Sequence, residues 1–156
     1  MIRFQLPLLA VADVARSKHF YCTLFDQRIT SDFGRNVTFS GGFAIQEDFA
    51  WLTGVSPQAI VQPSNNMELY FEVDDLDAWM RRLQAYGGIT LLHAPLTHPW
   101  HQRVVRLYDP DGHLIEVGEA MQVVVRRLLA QGHTVEQTAA LTEHPVSFVQ
   151  SCLEEQ

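Results

Sequence analysis

The chain has 156 residues, of which 47% are hydrophobic and 19% charged, with a formal net charge of −7. That length and composition suit one globular domain, or one domain with an appendage, and exclude a disordered chain. The negative balance argues against general nucleic-acid binding, and no apolar run approaches the length of a membrane span.

Met1–Pro7 has too short an apolar run and too early a proline for a signal peptide. Cys22 and Cys152 lie far apart, outside any CxxC spacing, and are expected as reduced thiols of a cytoplasmic protein. Residues 2–12 read as a strand. Asp13 is placed to cap a helix over about 14–25, whose apolar face is Val14, Phe20, Tyr21 and Leu24. Short β-like runs follow at 28–31, 36–39 and 43–47, punctuated by Gly34 and Gly41-Gly42. Residues 50–66, with Gly54, Pro57 and Pro63, read as a linker that holds at most a short helical turn.

The pattern then restarts. Residues 67–73 alternate, with Met67, Leu69, Phe71 and Val73 on one face and Glu68, Tyr70 and Glu72 on the other. Asp74-Asp75 precedes a helix over 76–86 that Gly87-Gly88 stops. A strand is expected at 89–93 and a loop at 94–101. Two β-rich runs, 103–108 and 113–118, flank Asp109-Pro110-Asp111-Gly112, a strong hairpin turn. Val11-Ala12-Asp13-Val14 is answered by Val73-Asp74-Asp75-Leu76, so strand-helix-three-strand occurs twice as a pattern. Residues 121–154 differ: helical spacing runs from Met121 to Gly132, Thr134–Gln137 is a capping box, and Pro145 opens a third helix.

The paired units, Phe20-Tyr21, and the hairpin Asp109–Gly112 followed by Glu116 resemble the vicinal oxygen chelate superfamily: glyoxalase I, extradiol dioxygenases, and fosfomycin- and bleomycin-resistance proteins. The loop Pro99–Arg103 is similar to one found in many small members, where glycine is usual in place of His101. The resemblance covers residues 1–119, with modules of about 1–50 and 66–119, and leaves 120–156 as a helical C-terminal extension. It implies an α+β fold in which two βαβββ modules form a cup-shaped sheet. It also implies four metal-ligand positions. These fall on Leu6, on Gln46 or its neighbour Glu47, on Glu68 and on Glu116, and Leu6 cannot coordinate anything.

Two functions follow as expectations. The first is a protein that binds a small molecule in the cup without the full metal site and without a cofactor. Leu6, Leu8, Gln46 and Tyr70 would line that cup, and Trp100 and Arg103 would close it. The alternative is a divalent-metal-dependent lyase, isomerase or dioxygenase with Gln46, Glu68 and Glu116 as ligands, and Glu68 and Glu116 as its catalytic carboxylates. Plainer roles stand beside these. The glutamates would pair with arginine or be solvated, Trp100 would close a sheet edge, Arg103 would pair with an acid, and His93, His98, His101 and His113 would sit at the surface or the pocket rim. The tail helices resemble a helix-turn-helix, yet no Lys or Arg follows Arg127, so DNA phosphates would find no partner there. The resemblance and the apolar tail positions Val124, Val125, Leu128, Phe148 and Val149 together suggest a homodimer. No nucleic-acid or membrane partner is expected.

Overall fold

The structure is a computed structural model and describes residues 1–154. In chain order the first module is β1 (Leu8–Ala10), α1 (Val14–Leu24), β2 (Ile29–Asp32), β3 (Asn36–Phe39) and β4 (Ala44–Gln46). A short helix α2 (Phe49–Thr53) and a 3-10 turn, Pro57–Ala59, lead to the second module. That module is β5 (Ser64–Val73), α3 (Leu76–Tyr86), β6 (Leu96–Thr97), β7 (Arg103–Tyr108) and β8 (His113–Glu119). Helices α4 (Met121–Ala130), α5 (Val135–Thr142) and α6 (Val146–Glu154) follow.

The fold is α+β, with two four-stranded sheets ordered β1-β4-β3-β2 and β5-β8-β7-β6. In both, the first strand of the module lies beside its last, which is the repeat expected from the sequence. β1 runs parallel to β4, while β3 is antiparallel to both β2 and β4.

The chain divides into two compact units. One comprises Met1–Leu69, Arg82–Thr90 and Tyr108–Ile115; the other comprises Tyr70–Arg81, Leu91–Leu107 and the chain from Glu116 onward. In the first, the pairings Leu9↔Ile45 and Val37↔Ile45 put Leu9, Ile45, Val37 and Phe39 on one face. Tyr21 of α1 packs on that face, its ring 5.5 Å from Phe39 and 5.0 Å from Phe43. Asp13 caps α1 by accepting from the Arg16 backbone N–H at 3.0 Å, as its position predicts. In the second unit the three tail helices bury two small clusters. One is Val125, Ala139, Val149 and Cys152; the other is Met121, Val124 and Leu128, covered by Trp100, Leu141 and Phe148. The apolar side chains that suggested a dimer face are therefore used within the chain.

Element boundaries moved where backbone partners, rather than side-chain pattern, decide. The first strand is confined to Leu8–Ala10, because Pro7 has no N–H to give and joins the ladder only by accepting from Ala44. The expected strand at 89–93 shrinks to a single bridge, Leu91↔Leu107, and two further backbone bonds, with Pro95 interrupting the run. β6 forms instead inside the predicted loop, pairing Leu96 with Val104 and Thr97 with Arg103. The predicted linker holds α2 and the 3-10 turn, and β5 starts earlier than its alternation, at Ser64, whose N–H donates to Gly112.

Leu128→Ala removes a side chain that is only 3% exposed at the centre of a tail cluster. It is expected to cost about 3 kcal/mol in chemical denaturation. A loss within experimental error would show that the tail is not packed as described.

Candidate functional site

The turn that the sequence singled out is a buried carboxylate centre. Asp109 accepts from the backbone N–H groups of Asp111 (2.9 Å) and His113 (2.8 Å) on one oxygen. Its other oxygen accepts the Tyr21 hydroxyl at 2.7 Å and lies 2.9 Å from His113 Nδ1. Asp111 accepts from Ala12 N at 2.9 Å, Arg16 Nη2 at 2.8 Å and Ser17 Oγ at 3.2 Å. Burial pushes the Asp109 carboxyl up, but His113 and the other donors outweigh it and hold the group below the usual carboxylate range. Burial first, and then the Asp109 charge, drive the Tyr21 phenol well above its ordinary value.

The opposite face of the first sheet carries Leu8, Ala10 and Gln46, since Leu8 pairs with Ala44 and Ala10 with Gln46. Leu6 and Leu8 are half-buried, while Gln46 is buried. The Gln46 side-chain oxygen accepts from Asn36 Nδ2 at 2.9 Å, and its amide donates to the Glu47 carbonyl. A cavity of about 510 Å³ opens where this face meets the segment after β4, with Ala10, Ala12, Glu47, Trp51 and Ile60 among its walls.

In the second unit, Tyr70, Trp100 and Arg103 are drawn into one network through Gln102 and Glu119. Trp100 Nε1 donates to Gln102 Oε1 (2.9 Å), and Gln102 Nε2 donates to the Tyr70 hydroxyl (2.7 Å) and to the Glu119 carbonyl (2.8 Å). The buried Glu119 carboxylate takes the Arg103 backbone N–H at 3.0 Å and Arg127 Nη1 at 2.6 Å. Arg103 also forms a bidentate pair with Asp77 at 2.6 and 3.0 Å and so holds that carboxyl below its ordinary value. Partial burial pushes the Tyr70 phenol up to about 12. His98 stacks on Trp100 with ring centres 4.2 Å apart. His101 has φ +67°, the left-handed region that glycine favours, so the loop keeps its shape although the side chain differs. Glu116 is buried and ion-paired with Arg106, whereas Glu68 is exposed.

The model of the glyoxalase-like domain matches residues 4–122. The chain belongs to that family. A protein of unknown function from Agrobacterium tumefaciens is similar, with 39% identity over 77% of this chain and 95% of its own and a TM-score of 0.65. A glyoxalase/bleomycin resistance protein/dioxygenase from Nocardioides is 23% identical, covering 76% of this chain and 84% of its own, with a TM-score of 0.58. The fosfomycin resistance protein FosX from Listeria monocytogenes is 17% identical, covering 77% of this chain and 94% of its own, with a TM-score of 0.59. These last two share the fold. No curated protein matches the chain.

In this glyoxalase-like chain the four implied ligand positions fit a metal poorly on their own chemistry. Leu6 has no donor atom. Gln46 is a neutral amide whose oxygen is engaged by Asn36, and Glu116 offers its carboxylate to a guanidinium. Glu68 is exposed, and Glu47, the alternative at the second position, is a half-buried carboxylate with one oxygen on the Val14 N–H. Among the described residues, no three His, Cys, Asp or Glu side chains are gathered as a metal site needs. Sequence reasoning missed Arg106, Gln102 and Glu119. Period-two alternation placed Glu116 away from the core but could not show that Arg106, half-buried on the neighbouring strand, would pair with it.

A carboxyl held low in the folded state adds stability above the unfolded carboxylate range and loses it as pH falls through the folded value. Asp109→Asn is therefore expected to cost about 3 kcal/mol at neutral pH, as breaking a buried charged pair does. Denaturation repeated at pH 3 is expected to narrow the gap from the unchanged chain. A gap that stays constant with pH would contradict the assignment.

Proposed function

We propose that this glyoxalase-like protein binds a small organic molecule without using a metal ion, on the side of the first sheet that carries Leu8 and Gln46, with Leu6 just before that sheet. The observation that carries the reading is the pairing of Arg106 with Glu116. A carboxylate ligand must give its lone pairs to the metal. A guanidinium ion-paired with Glu116 offsets its charge and sets a like charge against any cation that approaches it. Leu6 adds apolar wall where the superfamily's metal-using members carry a donor, and two leucines with a buried amide suit an organic ligand of mixed character. The bleomycin- and fosfomycin-resistance names of its structural neighbours point the same way, toward small molecules. Trp100 and Arg103 are assigned to holding the loop before β7, since both are committed to protein partners. Cys22, half-buried, and Cys152, buried, form no disulfide, which fits a reducing, cytoplasmic setting.

The test is thermal melting against a panel of small amphiphilic molecules, with and without EDTA. The same compounds are expected to raise the melting temperature equally in both conditions. Shifts that vanish with EDTA and return with a divalent ion would favour a metal-dependent lyase, isomerase or dioxygenase using Glu68 and Glu116. A panel in which nothing shifts would sink the binding reading itself.

A further inference from the structure

Among the described residues, the segment from Glu47 to Gln62 is fixed at its ends and otherwise hydrogen-bonded only to itself. At its start, Glu47 N donates to the Arg35 carbonyl at 2.8 Å, and Asp48 pairs with the Arg35 guanidinium at 2.6 Å. Just past its end, Ser64 N donates to the Gly112 carbonyl at 2.9 Å. Between these points the backbone bonds run Leu52 to Asp48, Gly54 to Ala50, Ala59 to Ser56 and Ile60 to Pro57, all local. Neither α2 nor the 3-10 turn buries a residue. Trp51 is 77% exposed and Leu52, Val55 and Val61 are also exposed, a concentration of apolar surface on one short stretch.

The cavity against this segment has about 510 Å³, within the range of small-molecule sites. Alanines 10 and 12 leave it roomy on the β1 side, and Phe49, Trp51, Pro57 and Ile60 make it apolar on the other. Its walls include two carboxylates and no Lys, Arg or His. Arg35 neutralises Asp48. Glu47 has no cationic side chain on it among the described residues: one oxygen accepts from the Val14 backbone N–H at 3.2 Å, and the other takes no hydrogen bond. The site is thus a pocket of mixed polar and apolar walls, with Trp51 and Ile60 among the apolar ones, and one uncompensated negative charge. Anions are repelled there, and a neutral molecule leaves the carboxylate without a partner.

We propose that this cavity takes an organic ammonium cation with an apolar body, the charge against Glu47 and the body against Trp51 and Ile60. An indole face and a carboxylate together favour a cation over a neutral molecule of equal shape. The proposal rests on the metal-free small-molecule reading above and supplies its ligand class. Ala10, paired with Gln46, makes the cavity continuous with the sheet face already described.

Benzyltrimethylammonium is the probe, with phenylacetate and benzyl alcohol as the anionic and neutral counterparts. Trp79 is buried and Trp100 half-buried, so acrylamide quenching reports chiefly on Trp51. The cation is expected to protect Trp51 from quenching saturably and to bind about tenfold more tightly than benzyl alcohol, with no binding of phenylacetate. Glu47→Gln keeps an oxygen for the Val14 N–H and is expected to erase that preference. Trp51→Ala, at an exposed position that leaves the fold intact, is expected to weaken the cation by about tenfold as read by melting shifts. The inference is overturned if the cation binds no better than phenylacetate, or binds the Glu47→Gln protein as well as the unchanged one. If other panel compounds still raise the melting temperature in that case, the small-molecule reading survives and only the ligand class falls.

Discussion

The structure of the first unit depends on two buried aspartates in one four-residue turn. Removing a carboxylate from water is costly unless its lone pairs are taken by donors. Asp109 and Asp111 meet that condition by drawing on Tyr21, Arg16, Ser17, Ala12 and His113. These partners come from the exit of β1, from the first two turns of α1 and from the start of β8, so satisfying the turn brings those pieces into register. Gly112 completes the arrangement. It sits at φ +80°, and a Cβ there would lie 3.1 Å from the Pro63 backbone, so both conformation and space favour glycine.

The proposed function rests on a smaller feature, the partner of one glutamate. The fold keeps a glutamate at the hairpin position that the resemblance marks as a ligand, yet surrounds it with different chemistry. Arg106 of β7 is paired with Glu116 of β8, and Leu6, just before β1, is apolar. A fold hosts many activities because such exchanges leave the backbone untouched. The Tyr70–Gln102–Glu119 network joins β5, the loop before β7 and the end of β8, while Arg127 of α4 ties the tail helices to the same carboxylate.

The parts of this structure legible in the sequence are those governed by local rules. Asp13 and Thr134 cap helices where their spacing says they should, and Gly132, at φ +93°, follows the end of α4. The turn at Asp109–Gly112 and the alternation of Glu68, Leu69, Tyr70 and Phe71 were equally plain. Strand limits were not, because a strand exists only where another backbone can pair with it: Met1, Ile2 and Phe4 are apolar but have no such neighbour and lie exposed. Charge pairing across strands was also hidden. Nothing in the spacing of Arg103 and Arg106 says that one will meet Asp77 and the other Glu116. The cavity beside Trp51 escaped for a related reason, since it is built by a segment that reads only as a linker.

If Glu116 is held by Arg106, the chain has no reason to select a metal ion. Calorimetric titration of manganese, nickel or zinc into EDTA-treated protein tests this directly. No saturable one-site binding that depends on Glu116 is expected. Stoichiometric binding that disappears in Glu116→Gln would contradict it, and would return the protein to the metal-using side of its superfamily.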